Sequence, residues 1–217
     1  MREHSLQSSH SIGMPLVNSI PAVAEQDDLL LVAASKNGDQ DAFAQLVQCY
    51  QRRVFNLVYR MLQQYEEATE ITQETFLAAW QGLPAFRGDA RFSTWLYRIA
   101  YNCSLKQLEL RKRDRALQVA LETEQALEDA SNETRANAEI EARDRQALIQ
   151  EHLSHLPTKY RIVLILRHLQ DKTYEEMAEI LTMPIGTIKT HLFRARNLLK
   201  ERIQSLNRES DMGYRGR

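Results

Sequence analysis

Apolar residues recur at three- and four-residue steps over most of this chain, the spacing of helices with one buried face. After an aperiodic stretch through residue 26, Asp27-Asp28 opens a first helix and Gly38 closes it. Asp41 opens a second. Its apolar face is Phe43, Leu46, Val47, Tyr50, Val54, Leu57, Val58, Met61 and Leu62. Gln63-Gln64-Tyr65 interrupts the pattern. A third helix covers 66–80, with Ala68, Ile71, Thr75, Ala78 and Ala79 turned inward. A turn-rich loop at Arg87-Gly88-Asp89 leads to Ser93-Thr94, expected to start a fourth helix by accepting a backbone N–H bond. Residues 27–115 show no strand alternation.

The C-terminal block is also helical. Residues 152–156 end one helix, and Pro157 suits the first turn of the next, which runs through Arg167. Thr173 and Glu176 form a capping box before a short helix that buries Met177, Ala178 and Leu181. Thr182-Met183 makes a tight turn, and Pro184 opens a longer helix. Ile188, Leu192, Ala195 and Leu199 share one face of it. Thr187, Lys189, Thr190, His191, Arg194, Arg196 and Lys200 occupy the others. Two helices, a tight turn and a basic outward side make a helix-turn-helix, whose second helix is sized for a major groove. A basic surface helix in a bundle is the plainer alternative. Cap, turn, proline start and sidedness agree on the former.

Composition supports this. The chain has 217 residues, 43% hydrophobic and 26% charged, enough for a core in one or two domains. Only 7 Gly and 5 Pro favour helix over turn-rich sheet. The net charge of −1 hides a distribution: residues 41–115 carry +3, 116–151 carry −6 and 152–217 carry +5. The expected fold class is therefore all-α. Two small helical domains, 27–115 and 138–206, flank a flexible acidic linker, 116–137, with a flexible extension at 1–26 and a tail at 207–217.

Chemistry of the enzymatic kind finds no footing. Cys49 and Cys103 have no metal-type spacing and are too few for a disulfide scaffold, which fits a reducing, cytoplasmic setting. No apolar run is long enough to span a membrane, and no secretory signal is present. Glu151, His152 and His155 do not match HExxH. Without a phosphate-cradling loop or a nucleophile elbow, neither an enzyme, a cofactor nor a metal is expected.

Two surfaces stand out instead. Helix 66–80 has an acidic outer face of Glu67, Glu70, Gln73 and Glu74, bordered by Phe76, Leu77 and Trp80. It reads as a solvated face or as a docking surface with apolar anchors. The stretch 86–115 carries Trp95, Tyr97 and Tyr101 beside Asn102, then a basic end at Lys106, Arg111, Lys112, Arg113 and Arg115. Rings beside cations suit single-stranded nucleic acid. A packed core with a dipole-matched basic end suits the same residues.

EEATEITQETFLAAW followed by FRGDARFSTWLYRIAYN, and then TYEEMAEILTMPIGTIKTHLFRARNLL, resemble the two conserved domains of extracytoplasmic-function (ECF) bacterial sigma factors. The resemblance spans about residues 27–206. It implies a transcription initiation subunit acting in a stress response. Its partners would be core RNA polymerase, promoter DNA and an anti-sigma factor, often membrane-anchored. Core polymerase would be met by Glu67, Glu70, Gln73, Glu74, Phe76 and Trp80, on the clamp coiled coil. The minus-ten element would be opened and read by Phe86, Arg87, Ser93, Thr94, Trp95, Tyr97, Arg98, Asn102 and Lys106. The minus-thirty-five element would be met by Lys189, Thr190, Phe193 and Arg194 at base edges, and by Tyr174, Thr187 and Arg196 at phosphates. The same domain would bind the polymerase flap. Extended, residues 116–151 reach on the order of 120 Å, against about 70 Å for two turns of DNA. A free-standing helix-turn-helix regulator is the competing class. It would need a dimer on a palindrome and leaves the aromatic–basic helix without a purpose.

Overall fold

The computed structural model describes residues 22–122 and 150–214, and among them every regular element is helical. Helix α1, Ala22–Lys36, begins five residues before the Asp27-Asp28 start read from the pattern. Gly38, at φ 91°, supplies the left-handed turn into α2, Gln40–Leu62. Asp39 caps α2 by accepting from the Ala42 N–H at 3.0 Å. Gln63, at φ 63°, ends it, and its N–H donates to the Tyr59 carbonyl at 2.7 Å. Helix α3, Tyr65–Gly82, runs into a short 3-10 turn, Leu83–Ala85. Helix α4, Phe92–Glu122, then carries the chain past Arg115, so the first seven residues assigned to the acidic linker are helical. The rest of the linker, the helix expected from about 138, and most of the N-terminal extension lie outside the described residues.

Residues 150–154 end a helix, followed by α5, Thr158–His168, α6, Tyr174–Leu181, and α7, Ile185–Tyr214. The capping box is present: Thr173 accepts from the Glu176 N–H at 3.2 Å and Glu176 accepts from the Thr173 N–H at 2.9 Å. Thr182, at φ 53°, is the left-handed residue of the tight turn. Ile188, Leu192 and Ala195 are buried beneath α7, with Leu199 half-buried beside them.

The two halves form one continuous core. Leu46, Leu57, Leu96 and Ala100 of the first half belong to the same buried cluster as Ile162, Ile165, Met177 and Ile188 of the second. Polar groups fasten them at the end of α2. Arg161, 8% exposed, donates to the Met61 carbonyl at 2.8 Å, and in its own half to Ser154 at 2.8 Å and Leu156 at 3.0 Å. Gln150 donates from the second half to the Tyr59 carbonyl at 3.4 Å, while Arg111, of the first half, donates to the Leu62 carbonyl at 2.8 Å. The Met61 and Leu62 carbonyls lie in the last turn, beyond the reach of the α2 backbone N–H groups, and the Tyr59 carbonyl already takes the Gln63 N–H.

Replacing Arg161 by Ala strands three carbonyls and opens a cavity. The expected cost is about 3–5 kcal/mol, read as a lowered urea midpoint by circular dichroism. A loss below about 1 kcal/mol, the size of one ordinary hydrogen bond, would mean that the guanidinium does not hold the halves together.

Candidate nucleic-acid and polymerase interfaces

Eight of the nine expected minus-ten residues divide into two groups, with Trp95 half-buried between them. Arg87, Arg98, Asn102 and Lys106 are exposed. Phe86, Ser93, Thr94 and Tyr97 are buried, as the packed-core reading of this stretch has them. The physical reason is the other half of the chain. Ser93 and Thr94 lie inside the first turn of α4 rather than ahead of it, and the backbone bonds there go to the Arg91 carbonyl. Their hydroxyls face α6. Ser93 Oγ accepts from Lys172 Nζ at 2.8 Å, and Thr94 Oγ1 donates to Glu176 Oε1 at 3.2 Å. The Tyr97 hydroxyl donates to Gln170 Oε1 at 2.8 Å, and Lys172 Nζ sits 5.2 Å from the centre of its ring. Burial raises the Tyr97 pKa, so the phenol stays neutral.

Lys172 is only 6% exposed, and Glu176 Oε1 lies 3.1 Å from its ammonium. Arg91 stands 3.7 Å from the same oxygen. Burial alone would raise the Glu176 pKa. The bond from the Thr173 backbone, the charge and hydrogen bond of Lys172, and Thr94 outweigh it and hold the carboxyl below its usual range. A cleft of about 320 Å3 opens beside this cluster. Asp89, Trp95 and Arg98 form one wall and Ala178, Glu179 and Thr182 the other.

Trp95 is half-buried, packed 4.9 Å from Phe86 and 5.8 Å from Phe92 between ring centres. Gly82 is matched to it: a Cβ there would lie 3.3 Å from the indole. Cys103 is half-buried, and burial with the nearby Glu74 carboxylate pushes its thiol pKa up.

The acidic face of α3 is accessible at Glu70, Gln73 and Glu74. Glu67 is tied to Arg111, whose Nε donates to it at 2.8 Å, and Glu74 stands 3.8 Å from Lys106. Two expected apolar anchors are not on this face. Phe76 is buried in the core, and Trp80 is half-buried against Phe43, 4.9 Å between ring centres. The exposed apolar residue is Leu77, 58% accessible. Its position at the border of the apolar stripe was the available signal.

The outward side of α7 is open. Lys189, Thr190, Phe193, Arg194 and Arg196 are exposed, Phe193 at 66%. Thr187 and Tyr174 are half-buried. The Tyr174 ring lies between Arg167 and Lys189, with the cations 5.2 and 5.7 Å from its centre. Pattern reading missed Tyr160, whose ring meets His191 edge-on at 5.4 Å and whose hydroxyl is lowered in pKa first by its bond with Arg194. It also missed Gln170 and Lys172, and saw Glu176 only as a cap.

A model of Sigma-70 region 2 matches residues 46–116, and one of Sigma-70 region 4 matches 146–199. The ECF RNA polymerase sigma factor SigW of Bacillus subtilis is 34% identical over 79% of this chain and 94% of its own length. RNA polymerase sigma-H factor of Pseudomonas aeruginosa is 34% identical over 87% of this chain and its whole length. Among solved structures, CnrH bound to the cytosolic domain of CnrY superposes with a TM-score of 0.62 at 25% identity. It covers 82% of this chain and 98% of that one. RpoE of Bartonella quintana with the anti-sigma factor NepR shares the fold, with a TM-score of 0.57 at 23% identity, over 75% of this chain and 96% of that one.

Glu176→Gln removes the carboxylate facing the buried Lys172 ammonium and should cost about 1–3 kcal/mol near neutral pH. The Glu176 pKa is depressed, so its contribution is complete above the ordinary glutamate range and is lost as pH falls through the lower folded value. The difference in urea midpoint between wild type and variant should therefore shrink on acidification from about pH 6 to about pH 3. A difference independent of pH would show that the carboxylate charge is not what matters.

Proposed function

The chain belongs to the ECF group of RNA polymerase sigma factors, and from that premise we propose how its surfaces divide promoter recognition. Region 2, from α1 through α4, docks on core polymerase with the acidic side of α3. Glu70, Gln73 and Glu74 supply charge there, and exposed Leu77 takes the anchoring part expected of Phe76 and Trp80. The basic side of α4 tracks the opened minus-ten strand. Arg98, Asn102 and Lys106 are accessible for this, while Trp95 serves first as the packed base of the reader. Region 4, from α5 through α7, lays α7 in the major groove at minus thirty-five. Catalysis rests with the polymerase, and the subunit acts in the cytoplasm. A protein inhibitor of the anti-sigma kind, held at a membrane, controls its release in a stress response. CnrH, at 25% identity to this chain, is bound by the cytosolic domain of another protein, CnrY, and this supports the last step.

The observation that carries this reading is the outward side of α7. Three buried positions, Ile188, Leu192 and Ala195, with half-buried Leu199, turn Lys189, Thr190, Phe193 and Arg194 together to solvent. An arginine there can grip guanine through two bonds, worth about 1–3 kcal/mol of discrimination. Arg196, one turn from Lys200 and 3.5 Å from His168, is placed to meet phosphate. Phosphate contacts give affinity without discrimination.

Transcription with purified core polymerase on a randomised promoter library tests the whole reading. Arg194→Ala should relax preference at one or two adjacent minus-thirty-five positions. Arg196→Ala should weaken binding evenly and lower the salt slope by about one unit. The assignment fails if Arg196 alters preference and Arg194 does not. Docking has its own check: Glu74→Lys, with the fold intact by circular dichroism, should bind core polymerase about tenfold more weakly, an effect of one good polar contact. Unchanged affinity would remove Glu74 from the docking surface.

A further inference from the structure

Two of the side chains set to meet base edges are held from a neighbouring helix. Lys189 lies 5.7 Å from the centre of the Tyr174 ring, at the start of α6. Arg194 bonds to Tyr160, which belongs to the first turn of α5 and not to the helix-turn-helix itself. We propose that Tyr160 is a positioning residue for minus-thirty-five reading: its hydroxyl accepts from the Arg194 guanidinium and aims it at the base edges, so that α5 takes part in specificity without itself reading a base. This rests on the reading of Arg194 as a base-edge contact.

Tyr160 stands on a fixed base. Its N–H donates to the Pro157 carbonyl at 2.8 Å and so closes the first turn of α5. The next residue, Arg161, is the buried guanidinium bound to the Met61, Ser154 and Leu156 carbonyls. The Tyr160 ring packs at the margin of the core, and His191 of α7 meets it edge-on, 5.4 Å between centres with the planes at 90°. Lys159 Nζ lies 5.1 Å from the ring centre. None of these contacts needs the hydroxyl, and a phenylalanine would keep them all. Burial, then the charges of Lys159 and Arg194, lower the His191 pKa. That ring therefore stays neutral near neutral pH and does not push Arg194 away.

The hydroxyl has a separate task. Its oxygen accepts from Arg194 and from Lys159, and the Arg194 bond is the largest cause of its lowered pKa. An exposed bond of this kind adds little to stability, because water would serve both groups. Its effect is on where the guanidinium stands. Arginine offers five N–H donors in one plane. A bond to one of them fixes that plane and leaves others for the guanine edge. A long side chain that is already held also loses less rotamer freedom on binding. Losing the restraint should therefore be felt at the bases Arg194 reads, and not along the phosphates.

The test uses holoenzyme assembled from the full chain, on a promoter library randomised at minus thirty-five. Wild type is compared with Tyr160→Phe, Arg194→Ala and the two changes together. Tyr160→Phe should cut preference about threefold at the positions that Arg194→Ala relaxes, the effect of one modest hydrogen bond. Preference elsewhere should change less than about twofold, and the salt slope should stay as it is, since no charge is lost. The combined variant should show the profile of Arg194→Ala alone, because the hydroxyl acts only through the guanidinium. A second measurement needs no DNA. The nitrogen–hydrogen heteronuclear NOE at Arg194 Nε in the free chain, identified by its loss in Arg194→Lys, should fall in Tyr160→Phe as the side chain gains fast motion. Unchanged preference in Tyr160→Phe at the positions Arg194 reads overturns the positioning role and leaves Arg194 a reader. So does an even loss over all sequences, a Tyr160→Phe effect that persists in full on Arg194→Ala, or an unchanged NOE. If Arg194→Ala itself leaves the preference unaltered, the base-edge reading falls, and the role of Tyr160 with it.

Discussion

The molecule depends on the carbonyl end of α2. A helix leaves its last four carbonyls without partners, and buried acceptors must be satisfied. Here Gln63 closes one through its own backbone, Arg111 reaches another from α4, and Arg161 and Gln150 arrive from the second half. The basic side chains also suit the negative end of the helix dipole. Because the C-terminal block supplies partners that α2 lacks, the halves meet in one register. That register brings α6 down on the start of α4.

The resulting joint is mixed in character. Apolar contact between the halves runs through Leu57, Leu96, Ile165 and Met177 within one buried cluster. Its edge is polar, at Lys172, Glu176, Gln170 and Arg161. Interfaces between domains of one chain are commonly of this polar kind and permit relative motion. The groups at this edge can hydrogen-bond water instead, whereas the leucines cannot. The polar edge therefore decides which closed geometry forms, and the apolar part supplies most of its attraction.

Much of the fold was legible because helices declare themselves locally. The α2 stripe, the capping box at Thr173, the left-handed turn at Thr182 and the buried side of α7 all follow from contacts within four residues along the chain. The candidate site was legible only in part. On α3, Phe76 and Leu77 are neighbours separated by about 100° of helix. At the border of a stripe, pattern alone does not say which one turns inward, and the structure buries Phe76. On α4 the serine and threonine expected to cap the helix instead reach across to the other half.

The sequence by itself determined an all-helical chain, the helix-turn-helix with its outward basic side, and the acidic face of α3, since each is a periodic or short-range property. Only the tertiary structure decided that Lys172, chemically a surface residue, is buried against Ser93, and that Thr94 and Tyr97 are covered by α6 and the turn before it. These contacts join positions 73 to 82 residues apart. Partners that far apart leave no mark in the spacing of either segment. They meet only because the end of α2 accepts donors from both halves.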